Sequence, residues 1–344
     1  MTTILVTGGN GFVGRHLVPA LLDRGDSVRV LALPGEDASE LESRGVEVYR
    51  GDVREPATLA APMRGTDAVL HLAAMMDVWR PLRDYHAVNV TGTENVCRAA
   101  LATRVRRLVH MSSSSVYGTT LRRRADESSA LAPFPDPYPI TKAAGDLAVQ
   151  GLMEREGLPA VIIRPDQIFG PGDQLHFGRM ADRLAAGRSV IVGSGDNAVP
   201  LVYVTDAVQG LLLALDSPHA AGQAYNITSD EALSQRELLH AIATEIGASP
   251  PRVHVPYRVL YAAAWLAEQI AARTPAPRPP LTRLGVAFIA TDNRYPIDKA
   301  RRELGYAPRV ALRDGVRLTA RWYRQRDRLA PAGTPGRAAQ QVQA

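Results

Sequence analysis

The first fourteen residues take the chain from a strand into a helix through a run of glycines. Ile4-Leu5-Val6 is a short apolar run suited to a buried parallel strand. Thr7-Gly8-Gly9-Asn10-Gly11-Phe12-Val13-Gly14 follows, and a helical pattern from His16 to Leu22 comes directly after it. Gly8, Gly11 and Gly14 permit a tight turn, an approach of backbone N–H groups to a pyrophosphate, and close packing of helix on strand. Gly9, Gly11 and Gly14 also satisfy the commoner dinucleotide spacing. A lone glycine motif reads equally well as a surface turn. Here a second strand, Val28-Arg29-Val30-Leu31, follows the helix, and that context favours a dinucleotide loop with Gly8, Gly11, Phe12, Val13 and Gly14 as its contacts.

Strand patterns at 3–7, 27–32, 46–49, 68–71, 107–111 and 160–163 alternate with helical ones. That rhythm predicts an α/β fold, a doubly wound parallel sheet of Rossmann type with ligands at the carboxyl ends of its strands. The pattern changes at Asp166 to loops, short helices and a Pro-rich stretch at 275–280. The expected division is a dinucleotide-binding domain over 1–165, its sheet completed by 200–227. A smaller C-terminal substrate lobe takes 166–199 and 228–328, and 329–344 forms a flexible tail.

Lysine occurs twice in 344 residues, both times four positions after a tyrosine: Tyr138-Pro-Ile-Thr-Lys142 and Tyr295-Pro-Ile-Asp-Lys299. At that spacing on a helix an ammonium sits beside a phenol, lowers its pKa, and makes it a proton donor and acceptor near neutral pH. Only Tyr138 follows a serine run, Ser112 to Ser115, and an N-terminal glycine loop. The second pair, next to Arg301-Arg302-Glu303, reads as structural.

With these residues in order, the chain resembles an extended short-chain dehydrogenase/reductase, the group that holds nucleotide-sugar epimerases and 3β-hydroxysteroid dehydrogenases. The resemblance continues through Gly51-Asp52-Val53, His71-Leu72-Ala73-Ala74, Asn89-Val90-Thr91-Gly92-Thr93, Arg164-Pro165, Phe169-Gly170-Pro171-Gly172 and Tyr203-Val204-Thr205-Asp206. It implies that Tyr138 is the general acid/base, that Lys142 hydrogen-bonds the nicotinamide ribose, and that Ser113 holds the substrate oxygen, with Ser114 second. It gives Asp52 the adenine amino group, with Val53 beside the ring. Leu72, Ala73 and Ala74 would lie near the phosphates and ribose, and Arg164-Pro165 would set the loop over the nicotinamide. The cofactor is NAD or NADP. At the tip of the second strand the family's acidic residue is replaced by Ala32-Leu33-Pro34-Gly35. Arg15 would welcome a 2′-phosphate, whereas Glu36 and Asp37 would repel one.

Departures from the family pattern narrow the reaction. Sugar-nucleotide dehydratases carry Asp-Glu after the catalytic Ser/Thr; this chain has Ser114-Ser115. Arg164 to Asp173 is closer to the steroid-dehydrogenase branch. Tyr257, Leu260, Tyr261, Trp265 and Leu266, with Met75, Met76, Val78 and Trp79, suggest an apolar wall, although each alone reads equally as core. The expected activity interconverts a secondary alcohol and a ketone on an apolar sterol-, terpenoid- or polyketide-like molecule. The alternatives are a nucleotide-sugar epimerase or reductase, and a cofactor-binding regulator without turnover.

Composition excludes other classes. The single Cys97 rules out a disulfide framework and suggests a reducing cytoplasm, no metal-ligand cluster appears, and the N-terminus runs straight into a strand. The most apolar stretch, Val255 to Ala272, carries Arg258, Glu268 and Gln269 and is too polar to span a membrane; a buried or pocket-lining helix is expected there, with association with a membrane surface as the lesser alternative. Net charge is +5, but the arginines are dispersed and no nucleic-acid motif accompanies them. Arg122-Arg123-Arg124 reads as a solvated loop or as a grip on an anionic substrate group. The family resemblance, and not composition, implies a homodimer, for which the helix at about 90–103 and the one after Tyr138 are the candidates.

Overall fold

The computed structural model describes residues 2–119, 123–274 and 278–329. Its centre is a seven-stranded, wholly parallel sheet: β1 (Thr3–Thr7), β2 (Ser27–Ala32), β3 (Glu47–Arg50), β4 (Ala68–His71), β5 (Arg107–Met111), β6 (Ala160–Pro165) and β7 (Gln223–Ile227). The spatial order β7-β6-β5-β4-β1-β2-β3 reverses direction between β1 and β4. Ligands of such sheets bind at the crevice this reversal opens at the carboxyl ends. Strands covered on both faces read as continuous apolar runs, and Ile4, Leu5, Val6, Val69, Leu70, Leu108 and Val109 have no exposed surface.

Two apolar clusters cover the two faces. One joins Ile4, Val6, Leu70 and Val109 to α1 (Gly14–Asp23), to Leu211 and Ala214, and to Ile297, Ala300, Leu304 and Tyr306. The other joins Leu5, Val69, Leu108 and Ile162 to Val96 and Cys97 of α2 (Thr93–Thr103) and to Val149 and Leu152 of α3 (Pro137–Glu156). Residues 297–306 thus pack on the sheet itself, although they lie far along the chain. Beyond β6 the chain builds a separate core from Phe169, Phe177, Leu201 and Tyr203. That core is completed by α4 (Val204–Asp216), α5 (Gln235–Ile246) and α9 (Leu312–Leu329). Between α5 and α9 lie α6 (Tyr257–Ala271), α7 (Arg283–Ala290) and α8 (Asp298–Leu304).

Several sequence expectations meet a different structure. Tyr295 precedes α8, which begins at Asp298, so the second tyrosine–lysine pair does not share a helix. Tyr295 stacks on Tyr117 with ring centroids 5.5 Å apart, and Lys299 donates to Gln223 Oε1 at 2.7 Å. Helix α6 is neither buried nor wholly pocket-lining: Trp265 is 49% and Leu266 55% exposed. Arg123 and Arg124 form a two-strand ladder with Asn293 and Arg294 rather than a loop. Arg122, residues 275–277 of the Pro-rich stretch and residues 330–344 of the expected tail lie outside the described residues. Among the described residues no helix is long and apolar enough to cross a membrane.

One close contact sets how α3 meets the sheet. A π-helical turn over Ala87–Gly92 precedes α2, and its Asn89 carbonyl lies where a Cβ on Gly145 of α3 would be, 2.4 Å away. Alanine in a helix gains up to ~1 kcal/mol over glycine, but a backbone oxygen at that distance cannot swing aside. Gly145→Ala should therefore destabilise the fold by about 1–3 kcal/mol, read as a lowered midpoint in urea denaturation. An unchanged or raised midpoint would show that the helix separates from Asn89 without cost.

Candidate active site

The carboxyl ends of β1, β4, β5 and β6 deliver the expected site residues to one edge. The glycine loop leaves β1 with Gly8 at φ 71°, a conformation that glycine adopts freely. A Cβ on Gly8 would stand 2.8 Å from Ala73 N, and one on Gly14 would stand 2.3 Å from the Gly9 carbonyl. The loop is therefore pressed against Leu72-Ala73 on one side and its own turn on the other, and α1 begins at Gly14. Helix N-termini present unsatisfied N–H groups and a positive dipole end, which suits a pyrophosphate. The residues present thus fit a dinucleotide.

At the adenosine end, Asp52 already accepts from Arg54 at 2.6 and 2.9 Å. Burial works against its charge, but the Arg54 bonds leave its pKa below the usual carboxylate value. Glu36 folds back under the tip of β2, where one carboxylate oxygen accepts from Leu33 N and the other from the Asn10 amide, both at 3.0 Å. Sequence spacing hid this: the acid sits beyond the strand tip in the chain, yet the turn brings it back.

The reacting end is built on two helix starts. Asp136 caps α3 by accepting from Tyr138 N at 3.1 Å, and Pro137 occupies the first turn, where its missing N–H costs nothing. The half-buried Tyr138 phenol hydrogen-bonds Ser113, which begins the turn after β5 and also accepts from Ser115 N at 3.1 Å. One helical turn on, Lys142 is 3% exposed and donates to the Met111 carbonyl at 2.7 Å.

The electrostatics differ from the expectation. Burial pushes the phenol of Tyr138 up, with Ser113 pulling the other way, and Lys142 is directed to a backbone carbonyl. Burial also pushes the Lys142 ammonium down to about 8, against the pull of Asp146. The lysine therefore keeps its charge at neutral pH and loses it in the mildly alkaline range.

The sequence reading missed Asp146, and with it the contacts of several residues it had named. Asp146, wholly buried one turn after Lys142, accepts from Arg164 through Nε at 2.8 Å and Nη2 at 2.9 Å and from Ser112 Oγ at 2.7 Å. Arg164 also donates to the Tyr117 hydroxyl at 2.8 Å, which donates to Asn226 at 2.9 Å. Asn89 holds Met75 through both its amide groups, at 2.8 and 3.0 Å, and donates to Thr141 beside Lys142. Asp166 is buried, bonded to Thr228 and Ser114, and its carboxyl is pushed up to about 7 by burial. A Lys four after a Tyr advertises itself; an Asp four after that Lys carries a signal only if helix periodicity is followed one turn further.

Behind the site, His71 and His110 stack with centroids 5.4 Å apart. Thr7 Oγ1 lies 2.7 Å from His71 Nδ1, and Nε2 lies 3.0 Å from Thr93 Oγ1, whose own proton goes to the Asn89 carbonyl. Among the described residues, neither ring nitrogen of His110 has a hydrogen-bond partner. Burial, with Lys142 nearby, drives His71 down to about 3 and His110 well below its usual value.

Residues 4–228 match the family described as the NAD dependent epimerase/dehydratase family. The 2-alkyl-3-oxoalkanoate reductase of Stenotrophomonas maltophilia (strain K279a) is 36% identical, over 91% of this chain and 97% of its own. The 4-hydroxy-2-methyl-3-oxo-4-farnesyl-3,4-dihydroquinoline-1-oxide ketoreductase of Stigmatella aurantiaca is 33% identical over 97% of each. The 3-beta-hydroxysteroid dehydrogenase of Mycolicibacterium neoaurum is 32% identical, covering 89% of this chain and 87% of that protein. Among solved structures, the dTDP-glucose 4,6-dehydratase of Streptomyces venezuelae with NAD bound superposes with a TM-score of 0.76 at 30% identity, over 94% of this chain and 97% of that one.

The buried histidines give a pH test. The unfolded chain protonates a histidine near pH 6.5, while folded His110 stays neutral well below that value. Between those pH values the unfolded state binds more protons, so stability from neutral His110 is complete above pH 6.5 and falls as pH drops. His110→Leu keeps the apolar shape and leaves no polar atom unpaired. Relative to the variant, the native chain should lose about 1.4 kcal/mol for each pH unit below 6.5, measured by urea unfolding from pH 7 to pH 5. Parallel curves would mean that His110 is solvated in solution.

Proposed function

The chain belongs to the NAD dependent epimerase/dehydratase family, the extended short-chain dehydrogenases/reductases, whose members are NAD(P)-dependent enzymes, and its relatives include named ketone reductases and 3β-hydroxysteroid dehydrogenases. On that premise we propose that it interconverts a secondary alcohol and a ketone on an apolar, sterol-, terpenoid- or polyketide-like molecule. One observation carries the reading: the Tyr138 phenol rests on Ser113 with a buried Lys142 one turn behind it, at the sheet edge that holds the glycine loop. The alkyl and farnesyl groups in the relatives' names support the apolar substrate class.

A bound nicotinamide supplies and accepts the hydride. The chain's own residues do the rest. Ser113 Oγ holds the substrate oxygen against the phenol. Tyr138 gives its hydroxyl proton to that oxygen during reduction and takes one back during oxidation. A phenol with a raised pKa is a stable donor, and Lys142 adds the positive field that steadies the phenolate left behind. Gly8, Gly11, Phe12, Val13 and Gly14 would hold the pyrophosphate, Asp52 and Val53 the adenine, and Leu72, Ala73, Ala74 and Pro165 the middle of the dinucleotide. Residues 166–199 and 228–296 would provide most of the substrate lobe, with Met75, Met76, Val78 and Trp79 as one wall. The outer faces of α2 and α3, where Leu147 is 55% exposed, would pair two copies.

A nucleotide-sugar enzyme is the second reading, supported by the dTDP-glucose dehydratase superposition. Against it, Ser114-Ser115 stand after Ser113, where a dehydratase of this fold carries its Asp-Glu pair. Binding of UDP or dTDP without turnover of any ketone would favour this second reading.

Tyr138→Phe should lower kcat at least ~100-fold, the contribution of a positioned general acid, while leaving NADH affinity nearly intact. Lys142→Ala should damage both. Full turnover by Tyr138→Phe on an apolar ketone would remove the phenol from the mechanism.

Glu36 makes NAD the preferred cofactor. Its carboxylate stands at the β2 tip, where a ribose hydroxyl is accepted and a 2′-phosphate repelled. Of the nearby cations, Arg15 is occupied by the Asn10 carbonyl at 3.0 Å and Arg50 by the Glu36 carbonyl. Fluorescence titration should give tighter binding of NADH than NADPH by about tenfold or more, the size of a typical close charge effect, with the gap narrowed in Glu36→Gln. Equal affinities would remove Glu36 from cofactor choice.

A further inference from the structure

Asp166 stands where the central sheet ends, directly after Pro165, and is 5% exposed. Its N–H donates to the carbonyl of Ile227, the last residue of β7, at 3.1 Å, and Gln167–Phe169 after it pairs with Leu201–Tyr203. The backbone is tied on both sides, which commits the side chain to the interior. Among the described residues the carboxyl bonds to the hydroxyls of Thr228 and Ser114 and to no cation.

The bonds around the carboxyl count its protons. Its Oδ2 meets the Thr228 hydroxyl, and that hydroxyl also faces the Leu201 carbonyl at 3.2 Å. A hydroxyl has one proton to give. When Thr228 gives it to Leu201, the proton shared with Asp166 comes from the carboxyl. The other oxygen, Oδ1, is buried and has no partner among the described residues. A bare oxygen costs far more on a buried carboxylate than on a neutral acid.

Neighbouring charges do not alter that count. Arg164, two residues back, is committed to Asp146, and Lys142 to the Met111 carbonyl. On the far side Tyr306 donates to the Thr228 carbonyl at 3.0 Å, with Asp206 and Arg301 acting on it from α4 and α8. Asp206 is itself held by the N–H groups of Arg309 and Val310.

The bond to Ser114 links this carboxyl to the site. Ser114 opens the short turn Ser114–Tyr117, which Ser113 caps, and Ser113 in turn bonds the Tyr138 phenol. We propose that Asp166 is a positioning residue: as a neutral acid it clamps the serine turn to Thr228 and so fixes where Ser113 meets Tyr138. An ionised Asp166 would draw the Thr228 proton away from Leu201 and still leave Oδ1 bare. It relieves that cost by moving toward water, and Ser114 moves with it. Burial sets the carboxyl at about 7, so the clamp is closed at pH 6 and mostly open at pH 8. The effect on rate rests on the proposed ketone chemistry; the proton on Asp166 does not.

Asp166→Asn cannot ionise and keeps an N–H for Thr228. Between pH 6 and pH 8, kcat/KM for reduction of an apolar ketone by NADH should fall about tenfold more in the native chain than in this variant. The variant keeps the shallower decline due to Lys142. Asp166→Ala opens the clamp at every pH and should lower kcat about tenfold or more at pH 6, where Asp166→Asn restores it. Infrared difference spectra between pH 6 and pH 8 should show a protonated-carboxyl band that the native chain loses and Asp166→Asn lacks. Parallel pH profiles for the native chain and Asp166→Asn, or the absence of that band, would overturn the proposal. The band in a native chain that reduces no ketone would support the neutral acid and count against the proposed function instead.

Discussion

The buried pair of Asp146 and Arg164 is the interaction on which the site depends. Two charges taken out of water are expensive unless every lone pair and proton is matched. Here both carboxylate oxygens accept from Arg164, and Ser112 and Gln150 complete the shell. The pair locks α3 to β6 and to the serine turn after β5, the elements that carry Lys142, Tyr138 and Ser113. Its charges also organise their neighbours. Asp146 opposes the loss of charge that burial would impose on Lys142, and Arg164 orients Tyr117 toward Asn226.

Around this pair, titrating groups are sorted by burial. His71 and His110 stand behind the sheet edge as neutral rings, and the ammonium of Lys142 is one reason they stay neutral. Asp166 and Tyr138 are pushed toward their protonated forms. Near neutral pH the interior around the reacting position thus concentrates its positive charge on Lys142 and Arg164, the negative charge of Asp146 being taken up by Arg164. A site that must tolerate a transient phenolate gains from that arrangement.

The sheet was legible because its signal is local. Apolar β-branched runs separated by helix-length gaps gave six strands to within two residues, as at Ser27–Ala32 and Ala68–His71. The seventh strand and its partners were less so, since residues 297–306 reach the core from far along the chain. Gly8, Tyr138 and Lys142 were legible because each residue type is demanded by geometry or chemistry at its position. Glu36 was legible only as a charge that would repel a 2′-phosphate; its place at the strand tip was not, because a turn cancels its offset along the chain. Nor was the orientation of α6. Its periodicity shows a stripe, and only Glu268's bond to Arg283 reveals that Ala264 and Ala271 face inward and the tryptophan outward.

The π-helical turn over Ala87–Gly92 gives the connection into α2 a property of its own. Such a turn holds one residue more than the α-helical path it replaces, and here that surplus places Asn89 between Met75 and Thr141. Removing one residue from this stretch would return it to the α-helical path between the same ends, so Val96 and Cys97 would keep their places in the core they share with Leu5 and Leu108. What would be lost is the position of Asn89, and with it the tie between the Met75 loop and the helix of Lys142. The surplus residue therefore serves the site and not the core.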